Sequence, residues 1–164
     1  MDNLVVAVLG LRNSGKSTTW NGLFGRTVRT GSDVRRLYLR AGEYVEVFLV
    51  SGSPEERATY VGDIIGDQKP RIVLCSMQYR QDVTTTIDFF LANSYAVYCQ
   101  WLNPAYSDPY NYQAFDRLGI FNYLLSNGAM VTIQNAKVNP DPRVQLIREF
   151  IYGWAKFRGL IQND

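Results

Sequence analysis

The sequence predicts an α/β fold, with a mostly parallel central sheet, helices on both of its faces and one antiparallel edge strand. Apolar runs of strand length alternate with helical segments along all 164 residues. The first run is aliphatic throughout, which is typical of a strand buried on both faces. Two further runs are separated only by a tight turn, which predicts a hairpin and therefore an antiparallel strand. This length fits one domain, residues 1–164.

The first half of the chain predicts three strands and two helices. In order, these are a strand at 4–9, a helix at 15–24, a strand at 34–40, a turn at 41–42, a strand at 44–50 and a helix at 53–65. The last helix is predicted from its opening, because Ser53 is a good N-cap, Pro54 suits the first helical position, and two acids occupy the first turn.

The second half continues the alternation. In order, it predicts a strand at 71–77, a helix at 83–93, a strand at 96–102, a loop at 103–111, a helix at 112–125, a strand at 130–134 and a final helix from Asp141. The final helix has apolar residues at a helical period, so we expect one face to pack on the domain. Those residues are Leu146, Ile147, Phe150, Ile151, Trp154, Phe157 and Leu160.

The amino-acid composition excludes several kinds of catalytic and metal-binding site. The sequence has no histidine, which excludes Ser-His-Asp and Cys-His hydrolases and histidine-ligated zinc. Cys75 and Cys99 lie in apolar runs and are expected to be buried, reduced and inert. The net charge of +2 gives no support to a nucleic-acid or membrane function, and no run is long enough to span a membrane. We therefore expect a cytoplasmic protein.

A phosphate-binding loop is predicted at Gly10–Ser17. The run Gly-Leu-Arg-Asn-Ser-Gly-Lys-Ser fits the pattern G-x-x-x-x-G-K-[ST] and lies between the first strand and the first helix. Glycine at positions 10 and 15 allows the tight curvature that points backbone N–H groups inward. In such a loop Lys16 binds the β- and γ-phosphates, Ser17 coordinates Mg²⁺, and the helix N-terminus adds its dipole.

From these residues onward the chain resembles the Ras-like small GTPases, with a loop nearest the Arf-like branch. The resemblance implies a three-layer P-loop NTPase fold and binding of GTP or ATP with Mg²⁺. It implies nucleotide-binding roles for Arg12, Asn13, Ser14, Gly15, Lys16, Ser17, Thr18, Gly52, Ala136 and Lys137. Ser17 would bind the metal, with Thr27 or Thr30 as a second ligand, of which we favour Thr30. Ala136 and Lys137 belong to Asn-Ala-Lys, which is similar to the family's Ser-Ala-Lys.

The chain departs from the family at its hydrolytic and base-reading motifs. Leu49 replaces the aspartate of Asp-x-x-Gly, and Ser53 replaces the residue that orients water. Glu55 and Glu56 either compensate or stabilise the first turn of a helix, and the second interpretation is favoured. The base-reading Asn-Lys-x-Asp is replaced by 103–108, Asn-Pro-Ala-Tyr-Ser-Asp, so guanine and adenine both remain open.

Arginines give two further ambiguous signals. Arg12 either clamps the phosphates or points to solvent. Five arginines crowd the region around the second strand, namely Arg26, Arg29, Arg35, Arg36 and Arg40. One interpretation is a docking face for an acidic partner, a phosphorylated surface or nucleic acid. The other, which we favour, is the charged side of an edge strand that deters pairing.

These observations lead to an expected function. The leading hypothesis is a divergent GTPase-like switch or regulatory module that acts through a protein partner, with weak or absent hydrolysis. The alternatives are an active small P-loop NTPase or kinase, and a pseudo-NTPase scaffold for interactions.

Overall fold

The structure is a computed structural model that describes residues 2–164. Within these residues there are seven strands and five helices. The strands are β1 Asn3–Gly10, β2 Arg35–Arg40, β3 Glu43–Val50, β4 Ile72–Gln78, β5 Tyr95–Leu102, β6 Met130–Gln134 and β7 Gln162–Asn163. The helices are α1 Lys16–Phe24, α2 Val61–Ile65, α3 Val83–Ala92, α4 Ile120–Ser126 and α5 Asp141–Phe157.

The strands form one mostly parallel sheet in the order β2-β3-β4-β1-β5-β6. β1 is central and pairs in parallel with β4 on one side and β5 on the other. β2 pairs antiparallel with β3, which confirms the predicted hairpin and edge strand. β7 was not predicted; it is a two-residue strand that pairs antiparallel with the start of β3.

Helices cover both faces of this sheet. α1 and α5 pack with one set of alternating strand residues, and α2, α3 and α4 pack with the other. Every residue of β1 from Leu4 to Leu9 is fully buried, as its aliphatic sequence predicted. The indole Nε1 of Trp20 in α1 donates to Ser76 Oγ of β4 at 2.8 Å, so the first helix is fastened to the sheet. The two faces therefore hold separate apolar cores, with β1 between them.

The parallel strands bring five connecting segments to one edge of the sheet. β1, β3, β4, β5 and β6 all run in the same direction, so their carboxyl ends lie together. The segments that follow them are 11–15, 51–60, 79–82, 103–119 and 135–140. In open α/β sheets this edge is where ligands bind.

The helix predicted at 53–65 is wrong over most of its length. Ser53 does accept the Glu56 backbone N–H at 3.3 Å, as an N-cap would, but the turn ends at Ala58, whose φ is 51°. Only α2 at Val61–Ile65 is helical. The buried Glu55 carboxylate accepts hydrogen bonds from the Gln78 N–H and the Thr86 hydroxyl, and this tertiary contact competes with helix continuation.

The helix predicted at 112–125 is also too long. α4 begins at Ile120, after Gly119 with φ 71°. The Asn103 side chain holds Ala114 through two hydrogen bonds, at 2.8 and 3.0 Å, and keeps this stretch out of a helix. The Asp116 carboxylate accepts from backbone N–H groups at the start of α4, which fixes where the helix begins.

The final helix is confirmed, but it ends at Phe157, so Leu160 of its predicted apolar face lies outside it, and two other residues of that face are exposed. Ile147 and Ile151 are fully buried, but Leu146 is 49% exposed and Phe157 is 88% exposed. Cys75 and Cys99 are buried free thiols, and burial raises the pKa of Cys99 to about 12, so neither is a nucleophile at neutral pH. Across residues 2–164, no helix combines the length and apolarity that crossing a membrane requires.

Candidate functional site

A cavity of about 540 Å³ opens at the carboxyl edge of the sheet. One wall is the loop that joins β1 to α1, and the facing wall is the segment that follows β3. The lining residues are Arg12, Asn13, Ser14, Gly15, Lys16, Ser17, Ser51, Gly52, Ser53, Glu56 and Arg57. Seven of the ten residues predicted to bind nucleotide are therefore in this list.

The loop is curled, and its glycines are required by its shape. A Cβ at Gly10 would lie 2.8 Å from Ser14 Cβ and closer still to its Oγ. Gly15 has φ 110°, a conformation that other residues rarely adopt, and Asn13 has φ 58°. The Tyr106 N–H also donates to the Ser14 carbonyl at 3.0 Å, so the loop is held from outside.

Lys16 places its ammonium inside the loop. Its Nζ donates to the carbonyls of Gly10 at 3.1 Å and Leu11 at 2.8 Å, and to Gln78 Oε1 at 2.9 Å. It lies 3.8 Å from Glu56 Oε1. Lys16 is only 8% exposed, and burial lowers the pKa of its ammonium, partly offset by the Glu56 and Glu55 charges. An anion in the cavity would stabilise the charged form further.

The cavity carries more positive than negative charge. Arg12 and Arg57 line it from opposite walls, and among residues 2–164 neither forms an ion pair. Glu56 is the only carboxylate among the lining residues that the structure describes. Three cations against one anion favour an anionic ligand.

The facing wall is built by hydrogen bonds near the end of β3. Thr30 Oγ1 accepts from the Ser51 N–H at 2.9 Å and lies 3.5 Å from the Gly52 nitrogen. Ser53 is buried and its hydroxyl lies 3.3 Å from Glu56 Oε1. Gly52 is exposed and lines the cavity, but its N–H, the predicted phosphate contact, is directed at Thr30 Oγ1.

The two acids after Pro54 have different surroundings. Glu55 is 6% exposed and lies away from the cavity, between β4 and α3; burial raises the pKa of its carboxyl, opposed by the hydrogen bonds from Thr86 and Gln78. Glu56 faces Lys16 across the cavity. The interpretation of both acids as charges on the first turn of a long helix is wrong, since the helix does not form there.

A second cavity of about 260 Å³ adjoins the loop at Gly15. Its other lining residues are Thr18, Tyr106, Ala136, Lys137, Val138, Pro140 and Arg143. The three predicted nucleotide-binding residues that are absent from the first cavity therefore line this second one. They are Thr18, Ala136 and Lys137. Lys137 Nζ donates to the carbonyls of Tyr106 and Asp108, and so links the segments after β5 and β6.

The side chains of Asn103 and Asp108 form hydrogen bonds within the segment that follows β5, whereas the Ser107 hydroxyl donates to the Arg12 carbonyl at 3.3 Å. Asn103 binds Ala114, and Asp108 Oδ2 accepts the Ala105 N–H at 2.8 Å. Neither residue lines the first or the second cavity. Tyr106 of the same stretch does line the second cavity.

The predicted metal ligands fit Mg²⁺ unequally. The Ser17 hydroxyl lines the cavity, and no hydrogen bond engages it within residues 2–164. Thr30 does not line the cavity, and its oxygen already accepts the Ser51 N–H. No cluster of three carboxylate, thiol or imidazole groups occurs in the described chain. Mg²⁺ is often held by one or two protein oxygens together with phosphates and water, a mode in which Ser17 fits.

The arginine cluster is largely engaged by its own domain. Arg36 and Arg40 form ion pairs with Asp164 at 3.6 Å and Glu149 at 3.1 Å. Arg35 donates to the Arg29 carbonyl at 2.7 Å. Because β2 is the edge strand, these contacts favour the interpretation of charges that protect an edge.

Sequence reasoning missed Gln78, Arg57 and Arg143. Gln78 ends β4 opposite Gly10 in the parallel register, so knowing that β4 neighbours β1 would have revealed it. Arg57 reaches the cavity only because the predicted helix is replaced by a turn. Arg143 was overlooked as a polar position in the first turn of α5, yet it is 3% exposed.

Comparison with protein-family models gives no match for this chain, and a search of curated proteins also gives none. The resemblance to small GTPases therefore depends on the residues of the loop and on the order of the elements.

Proposed function

We propose that this chain is a P-loop NTPase-like protein that binds GTP or ATP with Mg²⁺ and acts as a nucleotide-dependent switch or regulatory module for a protein partner. The three-layer P-loop assignment and the membership of the small GTPase superfamily are parts of this proposal. The observation that carries it is the cavity between residues 10–17 and 51–57. This cavity is lined by a tightly curled glycine loop, a buried lysine and two arginines that form no ion pair among residues 2–164.

The geometry supports phosphates as the ligand in that cavity. The loop lies at the end of β1 and at the start of α1, where backbone N–H groups and the helix dipole favour anions. Lys16 is held there by carbonyl groups that a phosphate can replace as partners.

Slow hydrolysis is the expected consequence of the facing wall. Leu49 is fully buried in the core between the sheet and α1, so its position provides no ligand for a metal-bound water. Ser53 is buried, and its hydroxyl is hydrogen-bonded to the backbone N–H and the carboxylate of Glu56. Binding energy can persist without the groups that stabilise the transition state.

An active NTPase is the second candidate, favoured by Glu56 and Arg57 in the cavity. In NTP hydrolysis a water oxygen bonds to the γ-phosphorus, the bridging P–O bond breaks, and the water proton needs an acceptor. Glu56 would accept that proton, and Arg57 would stabilise charge on the γ-phosphate. Phosphate release that Glu56→Gln abolishes would favour this candidate over the switch with weak hydrolysis.

Titration calorimetry with GTP, GDP, ATP and ADP in the presence of Mg²⁺ tests the proposal. Lys16→Ala should weaken binding about tenfold or more, because it removes a charge-assisted contact. Lys69→Ala, an exposed lysine far from either cavity, is the matched control and should leave the affinity unchanged. No heat with any of the four nucleotides would reject binding and favour an interaction scaffold, and an unchanged affinity in Lys16→Ala would reject the site.

A further inference from the structure

The Arg143 side chain is a buried cation without an anionic partner. Arg143 is 3% exposed, and its one side-chain hydrogen bond runs from Nε to Thr19 Oγ1 at 3.3 Å. No carboxylate of residues 2–164 forms an ion pair with it. Burial lowers the pKa of its guanidinium, with no neighbouring charge to oppose the shift. Buried charges in proteins are normally paired, so this guanidinium requires an explanation.

Its position relates it to the second cavity. Arg143 lines the 260 Å³ cavity and is absent from the lining of the 540 Å³ cavity. The two cavities share Gly15, and the Arg143 guanidinium lies behind it, with one nitrogen 3.3 Å from where a Cβ at that position would be. We place the nucleoside of a bound nucleotide in the second cavity, because this cavity shares Gly15 with the one that would hold the phosphates. The group that faces Arg143 is then part of the nucleoside.

The chemistry of a guanidinium restricts which base it accepts. It carries only donors, in a planar fork, and pairs best with two acceptors side by side. Guanine presents N7 and O6 as such a pair, whereas adenine presents N7 beside an amino group that is itself a donor. A donor facing a donor in a buried site leaves both unsatisfied, which disfavours adenine.

We infer that Arg143 is the base-specificity residue of this protein, and that it selects 6-oxopurines by donating to their N7 and O6 atoms. This inference rests on the proposed nucleotide function and resolves its open choice between GTP and ATP.

The same cavity predicts indifference to the 2-amino group of guanine. No aspartate or glutamate is among the described residues that line it, and Asp108 is bound to its own loop. Without a carboxylate the 2-amino group gains no charge-assisted hydrogen bond, and neutral acceptors distinguish it from hydrogen only weakly. Inosine nucleotides, which share N7 and O6 with guanosine but lack the 2-amino group, should therefore bind as tightly as guanosine nucleotides.

The test measures the affinity of the intact chain for GTP, ITP, ATP and 7-deaza-GTP with Mg²⁺. We expect GTP and ITP to bind equally, and ATP and 7-deaza-GTP to bind about tenfold more weakly or worse, since each loses one hydrogen bond to a charged donor. Equal binding of GTP and ATP, or a clear preference of GTP over ITP, would overturn the inference while leaving the phosphate site intact. If none of the four nucleotides binds, the proposed function is overturned as well.

Variants of Arg143 assign the preference to this side chain. Arg143→Met keeps an unbranched side chain without the guanidinium and should abolish the preference for GTP over ATP, and Arg143→Lys should reduce it because the fork is lost. Arg148→Met is the control: Arg148 lies on the same helix and donates to the Leu23 carbonyl at 3.0 Å, outside the cavity. An unchanged GTP-to-ATP ratio in folded Arg143→Met would overturn the assignment. If neither variant folds, the four wild-type affinities still decide the inference.

Discussion

The two walls of the main cavity are held in different ways. The loop wall at residues 10–17 is fixed by its own backbone: Gly10 leaves no room for a side chain, and Gly15 has a positive φ. The facing wall at residues 51–57 is a single turn whose shape depends on distant partners, namely Thr30 at one end and the Gln78 N–H and Thr86 at the other. One wall is specified locally, and the other is specified by the tertiary fold.

This difference suggests a division of labour. A wall fixed by sterics provides a constant grip on phosphates, whereas a turn tied by a few hydrogen bonds can change its contacts when the charge opposite it changes. Glu56 and Arg57 lie on the adjustable wall with opposite charges. Substitutions on the two walls should therefore differ in kind as well as in size.

The largest effect is expected on the loop wall, from Gly10→Ala. The added methyl would overlap the Ser14 side chain, and relief of this overlap must distort the loop. We expect nucleotide binding to be lost and the free energy of unfolding to fall by about 1–3 kcal/mol, the usual cost of overpacking. Calorimetry and urea unfolding measure the two quantities. Gly153→Ala, at an exposed site on α5 with open space around it, is the control; it should preserve binding and raise the free energy of unfolding by about 0.5–1 kcal/mol, because alanine favours a helix interior over glycine. Full binding by Gly10→Ala would show that the loop geometry is not required.

On the facing wall, we expect two substitutions to change the nucleotide affinity by intermediate amounts and in opposite directions. Arg57→Ala removes an attractive charge and should weaken nucleotide binding, and Glu56→Gln removes a repulsive one and should strengthen it, each by about two- to fivefold. Both changes should diminish at high salt, because these side chains are partly exposed. The exposed Glu46 on β3 provides a control, Glu46→Gln, with no expected change. Equal and same-signed effects in the two variants would contradict the charge arrangement.

The smallest effect concerns Glu55 and pH. Its carboxyl has a raised pKa in the folded chain, so between the ordinary glutamate pKa of about 4.3 and that raised value the folded state keeps a proton that the unfolded state loses. Stability contributed by Glu55 is thus present at low pH and falls as pH rises through this window.

Glu55→Gln should remove that dependence while keeping an acceptor for the Gln78 N–H. The measurement is the unfolding free energy of both proteins from pH 4 to pH 8, where the wild type should lose stability relative to the variant. A constant difference across this range would show that Glu55 is not held in a proton-retaining environment.

The sequence predicts the features that are specified locally and misses those that depend on the tertiary fold. The sheet, its antiparallel edge and the glycine loop are encoded by local patterns, because burial on both faces and positive φ restrict residue type directly. The turn at 53–58 is wrongly predicted as helix, because the hydrogen bonds that Gln78 and Thr86 donate to Glu55 cannot be inferred from the neighbouring sequence. Arg143 was missed for a related reason: its burial results from the packing of α5 against α1 near Gly15.

The central claim is that the loop at residues 10–17 holds a diphosphate at the end of β1. Amide ¹H–¹⁵N chemical shifts of the labelled protein, recorded while GDP with Mg²⁺ is added, test it residue by residue. We predict the largest changes at Asn13, Ser14, Gly15, Lys16 and Ser17, with the edge strand β2 unaffected. Saturating GDP that moves other amides and leaves these five unchanged would contradict the claim.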